Sequence, residues 1–202
     1  MVSLYFLRTF VSMTDNLNIS GFILAGGKSS RMGTDKALLM FQDKPLLQHM
    51  IKRIEPFCDK VAISGQNSEY ANFKVEMIPD LYSGCGPMAG IFSALKYSGS
   101  DWNLLVSVDV PFVNDELFFY LISNIGEYDC IIPEHTSGVE PLIALYNRRI
   151  LPVVEEMIKS GDYRLTNLLS KLNTSYLDCN ELIKKHPRLF ANINRMEDYQ
   201  SI

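Results

Sequence analysis

Residues 19–39 read "ISGFILAGGKSSRMGTDKALL", and their reading decides the fold. The first seven (19–25) are apolar or small and form a strand. Gly26 and Gly27 then interrupt it, and Lys28, Arg31 and Lys36 follow before apolar residues resume. A strand that opens through paired glycines into a cationic turn suits a polyphosphate. Successive backbone N–H groups near Gly26 and Gly27 can form an anion-binding nest. Arg31 and Lys36 can place positive charge where phosphoryl transfer builds up negative charge. Two common phosphate loops are excluded. One residue too many separates Gly27 from Gly33 for a G-x-x-x-x-G-K-[ST] loop, and Thr34 stands where its lysine would be; G-x-G-x-x-G is also missing.

Outward from this loop the chain alternates between strand and helix. "PLLQHMIKRI" (45–54) carries Leu46, Leu47, Met50, Ile51 and Ile54 on one helical face. "KVAIS" (60–64) and "FKVEMI" (73–78) read as strands. Pro87 opens a helix with Met88, Ile91, Phe92 and Leu95 at helical spacing. "NLLVSV" (103–108) is the continuous apolar run of a strand buried on both faces, and Asn114 caps a helix through Leu117 and Leu121. "DCIIP" and "PLIALY" flank the turn-like "EHTSG", which predicts an antiparallel hairpin at the sheet edge. Helices at about 149–159 and 164–171 and a strand near 175–178 complete the series. The expected fold is an α/β three-layer sandwich, Rossmann-like, with a mainly parallel central sheet and an antiparallel edge hairpin. In such sheets ligands bind beyond the carboxyl ends of the strands. The 26–36 loop, Asp80 after the 73–78 strand and Asp109 after the 103–108 strand would all meet there.

Composition narrows the ligand. With 202 residues and a net charge of −4, the chain has the length of one domain and lacks the basic surface that nucleic-acid binding needs. The cations of the loop are therefore local, which favours a small anion. Cys58, Cys85, Cys130 and Cys179 form no C-x-x-C pair and read as reduced thiols of a cytoplasmic protein. His49, His135 and His186 lack metal-ligand spacing, and no apolar run has the length of a membrane span. The opening "MVSLYFLRTFVSM" is interrupted by Arg8 and has no small-residue cleavage site. Residues 1–18 are read as a non-core extension, with Met13 a candidate initiator, and 19–202 as a single domain.

The extended string L-A-G-G-x-x-x-R-M-G-x-D-K resembles the signature loop of sugar-phosphate-type nucleotidyltransferases, and in this form the molybdenum cofactor guanylyltransferases. The likeness continues through "DKPLLQHMIKRI", "IPD" (78–80), "GPMAGIFSAL" (86–95), "VDVPF" (108–112), "EPLIALY" (140–146) and "FANINRMED" (190–198), and so covers residues 19 to 200. The resemblance implies a magnesium-dependent transfer of GMP from GTP to the terminal phosphate of Mo-molybdopterin, giving the guanine dinucleotide and pyrophosphate. The nucleophile is an ionised phosphate, so aligning two anions and offsetting their repulsion is the main task. By the same resemblance, Arg31 and Lys36 hold the triphosphate, and Asp109 anchors Mg²⁺. Leu24, Ala25, Gly26, Gly27 and Asp80 belong to the nucleotide site, and Glu140, Asn192 and Asn194 to the pterin half. Transient contact with molybdenum-insertion proteins or acceptor molybdoenzymes is also implied.

Taken as residues alone, Asp80 also suits the turn-rich "PDLYSG", and Asn192 and Asn194 suit turns before a final helix. Cys85 reads as a small buried residue. Two other readings stay open at this point. One is a CTP-dependent relative acting on the cytosine form of the cofactor or on a polyol phosphate. Isoprenoid-pathway cytidylyltransferases usually carry A-A-G-x-G-x-R-M, from which Leu24-Ala25-Gly26-Gly27 departs. The other is a non-catalytic nucleotide-binding protein on the same fold.

Overall fold

Strand β1 (Ile19–Leu24) is buried along its whole length, as an apolar strand must be when it lies inside a sheet covered on both faces. In this computed structural model, which describes residues 17–26 and 35–193, the chain continues through a 3-10 turn at Lys36–Leu38. A small hairpin follows, β2 (Met40–Phe41) with β3 (Lys44–Pro45). Helix α1 (Leu46–Ile54) leads to β4 (Lys60–Ser64), and a 3-10 segment (Ser68–Phe73) leads to β5 (Glu76–Ile78). Next come α2 (Pro87–Tyr97), β6 (Trp102–Ser107) and α3 (Asp115–Ser123). Strands β7 (Cys130–His135), β8 (Gly138–Val139) and β9 (Ile143–Asn147) precede α4 (Leu151–Lys159) and α5 (Leu165–Lys171). Strand β10 (Thr174–Asp178) and α6 (Asn180–Lys185) are the last elements among the described residues.

The main sheet runs β10-β7-β9-β6-β1-β4-β5, with β8 pairing to β7. β1 is parallel to both neighbours, β4 and β6. The β7–β9 pair is antiparallel, as its turn-like connection predicts. It lies one strand further in than expected. β9 also pairs antiparallel with β6, and β10 adds parallel to β7 outside it, so β10 forms that edge.

Alternating side chains along the strands feed two cores. Ile19 and Ile23 of β1, Leu104 and Val106 of β6, and Ile143 and Leu145 of β9 pack with the apolar faces of α1 and α3. Phe22 and Leu24 of β1, Leu105 of β6, and Ala144 and Tyr146 of β9 pack with α2, α4 and α5. That is the three-layer sandwich. Each helix shows the expected burial: Leu46, Leu47, Met50, Ile51 and Ile54 are buried in α1, and Met88, Ile91, Phe92 and Leu95 in α2. Pro87 takes the first turn of α2, where its missing N–H is not needed. Asn114 Oδ1 accepts from Leu117 N at 3.0 Å and caps α3 as anticipated. The expected 73–78 strand is shorter, because Lys74 adopts a left-handed φ of 55° and closes the preceding 3-10 segment. Pairing with β4 begins only at Glu76.

Candidate active site

The carboxyl ends of β1, β4 and β6 stand level. Leu24 is in register with Ser64 of β4 on one side and with Ser107 of β6 on the other. The chain leaving β1 stays tied to both neighbours. Ala25 N donates to the Ser64 carbonyl at 2.9 Å, and Val108 N donates to the Leu24 carbonyl at 3.2 Å. The first residues of the loop are thus held between two strands by main-chain bonds.

Each flanking serine orients one aspartate. Ser64 Oγ donates to Asp80 Oδ1 at 3.0 Å, and Ser107 Oγ donates to Asp109 Oδ1 at 2.6 Å. Asp80 also crowds Gly26: a Cβ there would stand 3.2 Å from Asp80 Oδ2. Glycine therefore lets the loop pass close to this carboxylate. Asp80 stands on the β4 side of β1 and Asp109 on the β6 side, so the loop emerges between two carboxylates. Of the expected rim, Gly26, Asp80 and Asp109 come together here, and residues 27–34 lie outside the described residues.

Lys36 and Asp109 come together. Lys36 Nζ lies 3.7 Å from Asp109 Oδ2, with both side chains about one-fifth exposed. Beyond Asp109 a cleft of about 220 Å³ is lined by Ser107, Asp109, Glu140, Leu142, Leu165 and Asn192, among others. Two of the three expected pterin-side residues thus share a wall with Asp109. Main-chain bonds hold this wall in place. Ser107 N donates to the Leu142 carbonyl at 2.8 Å, and Ile193 N donates to the Asp109 carbonyl at 2.8 Å. Glu140 Oε1 is 3.1 Å from His135 Nε2, and the His135 ring stacks on Phe190 with centroids 5.2 Å apart. Gly27, Lys28, Arg31 and Asn194 lie outside the described residues, as does most of the 1–18 extension.

Among the described residues, no group of three or more His, Cys, Asp and Glu side chains could by itself hold a metal. Asp109 is a single carboxylate with one oxygen engaged by Ser107. That donor set suits a hard cation which takes its other oxygens from phosphates and water. Sequence reasoning missed Ser64 and Ser107, since a serine at a strand end looks like any loop residue. It also missed His135 and the three-donor environment of Asp35. For Ser107 a signal was available: the S-x-D spacing at the end of a buried strand permits a local side-chain bond.

Known proteins resemble this chain along most of its length. The family described as MobA-like NTP transferase domain matches residues 21–175. A probable molybdenum cofactor guanylyltransferase of Flavobacterium johnsoniae is 34% identical over 91% of this chain and 96% of its own. A molybdenum cofactor guanylyltransferase of Vibrio parahaemolyticus is 32% identical over 89% of this chain and 92% of its own. The crystal structure of molybdopterin-guanine dinucleotide biosynthesis protein A from Archaeoglobus fulgidus superposes with a TM-score of 0.77 at 28% identity, covering 90% of this chain and 95% of that one.

Proposed function

The chain belongs to the MobA-like NTP transferase family, and from that premise we propose that it transfers GMP from GTP to the terminal phosphate of Mo-molybdopterin, with release of pyrophosphate. The observation that carries the reading is the meeting of Lys36 with Asp109 at the head of the cleft that Glu140 and Asn192 line. Lys36 brings charge suited to a triphosphate, and Glu140 and Asn192 offer the carboxylate and amide groups that a pterin edge can pair with.

In this reading the loop after β1 receives the nucleotide. Leu24, Ala25 and Gly26 present backbone groups to the guanine, with Gly27 continuing the loop, and Asp80 stands beside them. Lys36, with Arg31, grips the phosphates and offsets the charge that gathers on the departing pyrophosphate. Asp109 is the residue that would hold Mg²⁺, and Ser107 keeps its carboxylate oriented. When bound, Mg²⁺ would neutralise charge shared between the two phosphate groups. The attacking phosphate is already ionised, so the residues of the cleft need only align it with the α-phosphorus. Glu140, Asn192 and Asn194 orient the pterin. The reading places the reaction in the cytoplasm, with transient contact to proteins that load molybdenum or accept the finished cofactor. Among the described residues no helix is long and apolar enough to cross a membrane.

The test is which nucleoside triphosphate raises the melting temperature with Mg²⁺ present, since a ligand stabilises only the state that binds it. Pyrophosphate release on adding Mo-molybdopterin is measured in parallel. GTP is expected to act in both assays. A response to CTP alone would move the chain to the cytidylyltransferases, and binding without pyrophosphate release would make it a non-catalytic binder.

A further inference from the structure

Asp35 has no role in the reading so far, yet among the described residues three groups donate to its carboxylate. Oδ1 accepts from Ala37 N at 3.0 Å and caps the Lys36–Leu38 turn. Oδ2 accepts from Asn67 Nδ2 at 2.6 Å and from the Tyr70 hydroxyl at 2.8 Å. Tyr70 lies in the 3-10 segment between β4 and β5 and Asn67 caps that segment, both far from Asp35 in sequence. The same Tyr70 hydroxyl oxygen lies 3.3 Å from the Ala25 carbonyl, where the loop leaves β1. Tyr70 is buried, and its ring occupies the space beside Gly65, where a Cβ would come within 2.8 Å of it. Both ends of the 27–34 loop thus converge on one buried tyrosine.

We propose that Asp35 is a positioning residue for Lys36: it ties the Lys36–Leu38 turn to Asn67 and Tyr70 and so sets the lysine against Asp109. The physical basis is the contrast in tethering. A lysine side chain has several rotatable bonds and loses much freedom when its ammonium group is localised. Anchoring its backbone reduces what must be ordered when the triphosphate arrives. An ionised carboxylate suits the anchor because its three partners among the described residues are all donors. An amide is nearly the same shape but can accept at only one of the two positions. It must face either Ala37 N or the Asn67–Tyr70 pair with its own N–H groups, which breaks one side of the tie. Tyr70 is well chosen for its part, since burial and its Asp35 bond hold the phenol protonated and able to donate.

The inference rests on the proposed role of Lys36 in gripping GTP, and a double-mutant cycle separates the two. Asp35→Asn, Lys36→Ala and the double variant are compared by kcat/KM for GTP, with Mo-molybdopterin and Mg²⁺ present. Asp35→Asn is expected to lower kcat/KM about tenfold when Lys36 is in place and less than about twofold when it is alanine. An equal loss in both backgrounds would make Asp35 a general structural residue and overturn the proposal, as would no loss at all. If Lys36→Ala alone leaves kcat/KM unchanged, it is the role of Lys36 in the transfer that falls. Should Asp35→Asn fail to fold, Tyr70→Phe removes one donor and leaves every charge in place. In the same cycle it is expected to show a smaller loss, again only with Lys36 present, and a loss independent of Lys36 would count against the proposal.

Discussion

Ser107 Oγ reaches Asp109 Oδ1 at 2.6 Å, which leaves Oδ2 as the oxygen turned toward Lys36. The two carboxylate oxygens therefore have different tasks, one held by the strand end and the other facing the site. Asp109→Asn keeps the shape and removes the charge. It is expected to lower kcat on the order of a hundred- to a thousandfold, while the melting temperature stays close to that of the parent. Ser107→Ala should cost about 1 kcal/mol, roughly fivefold in rate, by loosening the carboxylate alone. Rates measured across a Mg²⁺ titration check both, and near-normal turnover of Asp109→Asn at limiting Mg²⁺ would remove Asp109 from the metal site.

If the proposed division holds, substitutions at Lys36 and at Glu140 or Asn192 have different effects. Lys36→Ala removes charge felt by bound GTP and by the transition state, so affinity and rate should fall together by about 1.5–3 kcal/mol. Asn192→Ala and Glu140→Gln alter other residues of the cleft lining and should leave GTP affinity nearly unchanged while raising the pterin requirement; Asn194→Ala is expected to act with them. Titration with GTP alone and then with Mo-molybdopterin distinguishes the halves. A loss of GTP affinity in Asn192→Ala equal to that in Lys36→Ala would contradict the division.

Removal of residues 1–16 is expected to leave activity and melting temperature nearly unchanged, since that segment lacks a strong hydrophobic period. The cut spares the first described contacts: Leu17 packs against the α1-side core, and Asn18 Oδ1 accepts from Ser100 Oγ at 2.6 Å. Thermal unfolding of the shortened chain checks this, and a large drop would mean that the segment packs on the domain.

Alkaline pH should unfold the protein through groups buried in neutral form. Burial pushes the Cys130 thiol up to about 11, with the Thr174 hydrogen bond opposing the shift. Burial likewise pushes Cys179 up to about 11, and it raises the Tyr70 and Tyr146 phenols. Above the unfolded thiol value of about 8.5 the native state binds more protons than the unfolded chain. Stability from these groups is therefore complete below that pH and is lost as pH rises toward 11. Melting curves from pH 7 to 11 should show this decline, and Cys179→Ala should flatten part of it.

Periodic burial was legible in the sequence. The helical faces of α1 and α2 follow from spacing alone, and their apolar positions are buried as expected. The position of β9 between β6 and β7 was not, because strand order depends on pairing between distant segments. The length of β5 was hidden for a local reason, since nothing in "FKVEMI" announces that Lys74 turns left-handed. At the site, Lys36, Asp109, Glu140 and Asn192 are gathered at one cleft, and Asp80 meets Gly26 nearby. The supporting bonds from Ser64, Asn67 and Tyr70 were beyond reach, because each joins side chains whose proximity only the folded sheet creates.

The bond from Ile193 N to the Asp109 carbonyl has a consequence for the order in which the molecule is made. The central sheet has all of its strands once Asp178 has been added, but the cleft wall is complete only when Asn192 and Ile193 have emerged. A chain ending between those points would include every strand together with Lys36 and Asp109, yet lack one side of the cleft. In chain order the strands are therefore complete before the cleft is, and the last described residues close the site rather than the sheet.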